Sequence, residues 1–196
     1  MMKKCFILLA AIVTAFAVSA SESSQIINTL IEYRLTIFAF DFEKALKYCN
    51  DDYVEYAPDG SRKTAENLRQ MMLTYRMMEN SDDLEVVLAC AMRLQGAVMS
   101  EAQRQQIRAI KGTPKGAQAL AAVKQQLNAI KNQMSSMREA LIKMMTIRDV
   151  KISGNQATAI QEVTEPGSGK KYITHYKLRK VNRQWLICEL RQEDPA

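Results

Sequence analysis

The chain has 196 residues, 47% of them apolar and 24% charged, with a formal net charge of +6. That balance supports a real hydrophobic core and excludes a disordered or low-complexity polypeptide; the length suits one domain with an elaboration better than two. The basic residues are spread along the chain rather than gathered into a run with interleaved aromatics, so nucleic acid is not expected as a partner.

Met1 to Lys4 is basic, Cys5 to Val18 is an apolar run, and Val18-Ser19-Ala20 places small residues where a signal peptidase cuts. Residues 1–20 therefore read as a signal peptide cleaved after Ala20. The run is shorter than the roughly 20 residues of a membrane span, and no later stretch is uncharged for that long. The mature chain is expected to be exported, periplasmic or secreted, with no stable membrane insertion. Loss of Lys3 and Lys4 leaves 25 basic against 21 acidic residues, or +4. Cys5 precedes the apolar run, whereas a lipoprotein cysteine follows it, and it leaves with the leader. Cys49, Cys90 and Cys188 remain, an odd number that permits at most one internal disulfide; each sits in an apolar run and is expected as a small buried residue.

Ser21 to Ser24 are placed to cap a helix in which Ile26, Leu30, Tyr33, Ile37 and Phe40 recur with few polar breaks, so that it should be largely buried. Asp41 begins a short second helix carrying Phe42, Ala45, Leu46 and Cys49, ending near Asn50. Tyr53 to Ala57 alternates like a strand, and Pro58-Asp59-Gly60 turns it. Thr64 caps a third helix marked by Leu68, Met71, Met72, Tyr75 and Met78.

From Leu84 to Met145 the composition favours helix, with breaks at Gly96 and at Gly112-Thr113-Pro114, where Thr113 is the cap and Pro114 the first helical residue. Leu120, Val123, Leu127, Ile130, Met134, Met137, Leu141 and Met144 follow at alternating spacings of three and four, a coiled-coil seam. An antiparallel hairpin with the stripe Leu84, Val87, Ala91, Leu94 and Val98 is the expected partner; a second copy of the chain is the rival. The methionines read as core filling rather than as a soft-metal site, because the single histidine, His175, lies far along the chain.

The last quarter reads as four antiparallel strands: Thr146 to Ser153, Gln156 to Thr164, Lys170 to Lys180 and Gln184 to Arg191, with turns at Gly154-Asn155 and Asn182-Arg183. Period two puts Tyr172, Thr174, Tyr176 and Leu178 on one face and Ile173, His175 and Lys177 on the other. The fold class is α+β: an antiparallel curved sheet covered by N-terminal helices, with an inserted helical hairpin.

This order, with a helix, a short helix beginning Asp41-Phe42, the strand Tyr53 to Ala57 followed by Asp59-Gly60, a helix from Thr64 and strands ending Gln184-Trp185-Leu186-Ile187, resembles the nuclear transport factor two-like (SnoaL-like) superfamily. The resemblance covers Ser24 to Asn80 and Thr146 to Arg191. It implies a cone-shaped α+β barrel formed by residues 21–80 and 146–196, with residues 81–145 as a helical insertion. It also implies a conical pocket lined by Tyr33, Tyr56, Tyr172, Tyr176 and Trp185. In the isomerase branch a tyrosine eight positions before the aspartate of the second helix donates to a substrate oxyanion, and Tyr33 stands eight before Asp41. The position of that branch's general base corresponds to Tyr56, a poor base near neutrality.

No Gly-rich phosphate loop, Gly-x-Ser-x-Gly elbow, Cys-x-x-Cys pair or histidine cluster is present. Asp51-Asp52 and Asp82-Asp83 adjoin helix ends, where capping accounts for them. No catalytic residue, metal or cofactor is assigned. Two readings stand. One is an exported, non-catalytic binding or interaction domain with a small apolar ligand and a helical arm for a protein partner or homo-oligomer. The other is a lyase or isomerase acting on a small apolar substrate with Tyr33 as hydrogen-bond donor and an acid that the sequence does not identify, Glu162 being the first candidate.

Overall fold

The structure, a computed structural model, describes residues 21–165 and 167–194. The leader, its cleavage position and Cys5 lie outside the described residues. Helix α1 covers residues 21–38, so Ser21 to Ser24 already stand inside it rather than capping it. Its end is set by Phe40, whose φ of 57° no helix continues. Asp41 then caps α2 (Phe42–Leu46), its carboxylate accepting from the Lys44 amide at 3.0 Å.

Cys49 is not on α2, as its spacing suggested; it opens β1 (Cys49–Tyr56). The Tyr48 amide closes the last helical turn on Ala45, and the Tyr48 carbonyl is then taken by the Ile187 amide at 2.8 Å. A long-range strand contact therefore overrides the local apolar period. Strand β2 (Arg62–Thr64) folds back on β1, and α3 (Ala65–Asn80) starts from Thr64, whose amide donates to Asn67 Oδ1 at 2.7 Å.

The stretch 81–145, expected as an inserted hairpin, holds more than two helices. It comprises α4 (Leu84–Leu94), α5 (Glu101–Ile110), α6 (Pro114–Ser136) and α7 (Arg138–Met144). Gly96, at φ 76°, ends α4, and a Ser100–Gln103 capping box starts α5. The seam helix also stops short of Met144. It breaks at Met137, with no proline or glycine present, where Leu141 turns into the interior and Arg138 pairs with Glu32 of α1. Leu120, Val123 and Leu127 pack against a cluster of Phe42, Tyr75, Met78, Val87 and Cys90, so this part of the seam is covered within the chain. Ion pairs tie the arm's own helices together, Glu85 accepting from Arg104 and Arg108, Asp83 from Lys111 and Asp82 from Lys124, while Lys131 pairs with Glu79 of α3 and Arg138 with Glu32 of α1. Exposed pairs contribute about 0–1 kcal/mol each, against roughly 1.5–3 for burying one large apolar side chain. The cluster holds the arm, and the charges set its register.

Strands β3 (Met145–Ser153), β4 (Gln156–Thr164), β5 (Lys171–Val181) and β6 (Gln184–Gln192) form the expected antiparallel hairpins. Asn182 and Arg183, at φ 49° and 68°, make the two-residue turn whose twist suits a hairpin. The sheet as a whole is mixed rather than antiparallel, in the order β2-β1-β6-β5-β4-β3, because β1 runs parallel to β6. It does not close into a barrel, since β2 and β3 are its edges. Register shifts between Cys49 and Val54, Arg148 and Lys151, and Lys177 and Leu178 bend it. Ile26, Leu30 and Tyr33 of α1 fill the resulting concave face against Ala157, Ala159, Tyr176, Leu178, Ile187 and Leu190. Cys49, Cys90 and Cys188 are free thiols, Cys90 buried and the others half-buried.

A close crossing fixes the α5–α6 turn. A Cβ on Gly116 would lie 2.3 Å from the Ile110 carbonyl oxygen. Gly116→Ala should lower the unfolding free energy by about 1–3 kcal/mol in urea titrations, whereas Lys115→Ala on the exposed side should stay within about 0.5.

Candidate functional site

Helix α1 buries Ile26, Leu30, Tyr33 and Leu35, and one charge interrupts its inward surface at Arg34. Period two along β4 turns Ala157, Ala159 and Gln161 inward, and along β5 Thr174, Tyr176 and Leu178. Gln161 and Thr174 are direct register partners. Arg34 reaches both. Its Nε–H is shared between Gln161 Oε1 at 2.9 Å and the Tyr176 hydroxyl at 2.8 Å, and Nη2 donates to Thr174 Oγ1 at 2.8 Å. Tyr176 in turn donates to Gln161 Oε1 at 2.9 Å, and the Gln161 amide nitrogen reaches Met145 Sδ at 3.2 Å.

A second chain of hydrogen bonds runs beside the first. Tyr53 donates to Glu55 Oε2 at 3.1 Å, which leaves Tyr33 as the donor to Tyr53 across 2.6 Å. Gln192 Nε2 donates to the other Glu55 oxygen at 2.7 Å. Burial pushes the Tyr33 phenol well above its ordinary value, and it raises Tyr53 likewise, with repulsion from a Tyr33 phenolate, were one formed, and from the Glu55 carboxylate adding to the effect. Tyr176 is raised by burial and partly offset by Arg34. Cys49 is pushed up to about 12 by burial and then by Glu55. All four are neutral near pH 7.

The two chains end at a cavity of about 370 Å³ where β4 and β6 end and β5 begins. Phe38 of α1, Leu141 and Met144 of α7, Val163, Tyr172 and Ile173 give it apolar walls. Arg34, Thr174 and Gln192 supply its polar side, and Glu165 and Glu193 are exposed carboxylates on its lining. Phe38 is 38% and Tyr172 40% exposed, so the walls reach solvent. This size and mixture fits a small organic ligand. Among the described residues no group of three or more metal-ligating side chains occurs.

The five aromatic residues assigned to a pocket do not converge on this cavity. Tyr172 is on its wall, and Tyr176 supports its floor through Arg34. Tyr33 is buried and faces Tyr53. Tyr56 lies under the Arg191 guanidinium, 4.9 Å from the ring centre, and Trp185 is buried beneath Lys180; neither lines the cavity. Glu162 pairs with Lys171 at 2.7 Å, and that ammonium holds its carboxyl below the usual value. His175 pairs with Glu193 on the face opposite Tyr176, as alternation indicates. Sequence reasoning missed Arg34, Gln161, Thr174 and Glu55. A signal for the first three was present: a charge inside an apolar helix, and polar residues at inward strand positions.

The buried phenols have a measurable consequence. Their native pKa values lie above the ordinary value of about 10, so the stability they confer is complete below pH 10 and is lost as pH rises through the native values. In an alkaline titration followed by phenolate absorbance, Tyr33, Tyr53 and Tyr176 should remain silent while exposed tyrosines ionise, and should appear together with unfolding. Ordinary titration of every tyrosine in folded protein would contradict the burial.

No protein-family model and no curated protein matches the chain. Solved structures similar to it include a nuclear transport factor two-like protein of unknown function from Shewanella oneidensis (10% identity, 88% of this chain and 99% of that one, TM-score 0.42). A nuclear transport factor two-like protein with a cystatin-like fold from Novosphingobium aromaticivorans is 11% identical over 92% of this chain and 86% of that one, TM-score 0.42. A ketosteroid isomerase-like protein from Erwinia carotovora atroseptica is 12% identical over 87% and 93%, TM-score 0.36. The observed element order runs from the helix before Asp41 through the strand ending at Tyr56 and the helix after Thr64 to the four C-terminal strands of a curved mixed sheet.

Proposed function

We propose that the chain is an exported, non-catalytic binding domain whose cavity between α1, α7 and the ends of β4, β5 and β6 holds a small ligand with an apolar body. The observation that carries this reading is the cavity itself, with apolar walls drawn from four elements around a polar floor. The basic-apolar-small leader motif supports export. The helical arm belongs to the same proposal as an oligomerisation or docking element, supported by Leu73 and Met77 on the adjoining α3 and Val98 on the arm, which are exposed apolar residues. The lyase or isomerase reading draws no support from the geometry: the Tyr33 phenol is engaged by Tyr53 inside the core, and Glu162 is tied to Lys171.

The neutral fluorescent amine 1-aminoanthracene should bind the wild-type protein saturably at one site, and Val163→Trp, which fills the cavity wall, should weaken binding at least about tenfold with unchanged circular dichroism. Absence of saturable binding to the wild type would overturn the reading. Expression of the full chain in a bacterium should give a periplasmic or secreted product whose mass begins at Ser21; a cytoplasmic product retaining Met1 would remove the export component.

A further inference from the structure

Arg34 carries a charge that the protein does not neutralise. A guanidinium has five N–H donors. One is consumed by Gln161 and Tyr176 together and one by Thr174, and all three of these acceptors are uncharged. Among the described residues, no carboxylate lies within 4.0 Å of it. Glu55, whose charge reaches Arg34 through the interior, has both oxygens engaged by Tyr53 and Gln192. Nη1 has no protein acceptor among the described residues. It is also not sealed in the core, where Trp185 Nε1 is the one buried side-chain polar atom left without a partner among those residues. The open edge of the guanidinium therefore faces the cavity that Arg34 lines.

A half-buried cation held rigid by three neutral acceptors and open on one edge is a preorganised receptor for a planar anion. The walls beside it are apolar, which asks for an apolar body attached to that anion. Glu165 and Glu193 are exposed, engaged by Ser168 and His175 respectively, and screened by solvent. We infer that the cavity takes a small amphipathic carboxylate, its charged group paired with the free edge of Arg34 and its apolar part against Met144, Val163 and Tyr172. This rests on the binding-domain reading and adds the class of ligand.

The test compares 3-phenylpropanoate with its uncharged isostere 3-phenylpropanamide by calorimetry at neutral pH on the full mature chain. The acid should bind roughly tenfold to a hundredfold tighter, the range expected when a hydrogen bond to a charged group is gained. Arg34→Met should remove the discrimination while leaving amide binding in place. Should that variant fail to fold, the wild-type comparison decides alone. Equal affinity for acid and amide, or undiminished acid binding by folded Arg34→Met, overturns the inference while 1-aminoanthracene binding preserves the cavity reading. Failure of all three compounds to bind the wild type overturns both.

Discussion

Everything in this molecule follows from the need to bury α1. A helix with Ile26, Leu30, Tyr33 and Leu35 almost wholly inaccessible has to be enclosed, and the concave face of a bent sheet is what encloses it. Three register shifts give the sheet its bend, and the parallel addition of β1 to β6 widens it to six strands, so that it meets the short helix α2 at β1 and the arm's last helix, α7, at β3. Remove the helix and the inner face of four strands would be exposed.

The same constraint explains the arm. Phe42, Tyr75 and Met78 lie beyond the reach of the sheet and form a second cluster, with Val87 and Cys90 as its far side. Of the four helices between α3 and β3, α4 and α6 give that cluster its cover, α6 laying Leu120, Val123 and Leu127 along it. The arm is thus tied to the body by burial, with Lys131 paired to Glu79 of α3 and Arg138 to Glu32 of α1 at the surface. Its last helix returns to the sheet: Leu141 and Met144 of α7 become walls of the cavity, and Arg138 of α7 meets Glu32 of α1. An insertion that looks external by sequence contributes a side of the site.

Local chemistry was readable in the sequence, and long-range chemistry was not. The hairpin turns at Gly154 and Asn182-Arg183, the Thr113-Pro114 start of α6 and the Asp41 cap all depend on a few neighbouring residues, and each appears where its side chains require. The start of β1 at Cys49 was hidden because its partner, Ile187, is far away in the chain. The parallel pairing was hidden for the same reason. The break at Met137 has a short-range part, Ser136 returning its hydroxyl to the Gln133 carbonyl at 2.8 Å, and a long-range part, the pairing of Arg138 with Glu32 of α1. Among the pocket residues the aromatic criterion was the wrong one: Tyr56 and Trp185 are large and inward or half-inward but pack under Arg191 and Lys180, away from the cavity.

The polar residues are the better guide, and the buried ones separate into two kinds. Thr36 and Thr74 return their hydroxyls to carbonyls of their own helices, Tyr33 and Gln70, at 2.7 and 2.8 Å. They satisfy themselves locally and cost the fold little. Gln161 and Thr174 have no such local partner. They face each other across β4 and β5 at positions where the rest of each strand is apolar, and both spend their acceptors on Arg34. Replacing inward apolar residues with polar ones forfeits burial, and the hydrogen bonds that compensate contribute only about 1 kcal/mol net each. Alternation is otherwise kept along these strands, so its violation at one register pair, directly beside a cation at a cavity, marks a place where core stability gives way to a site.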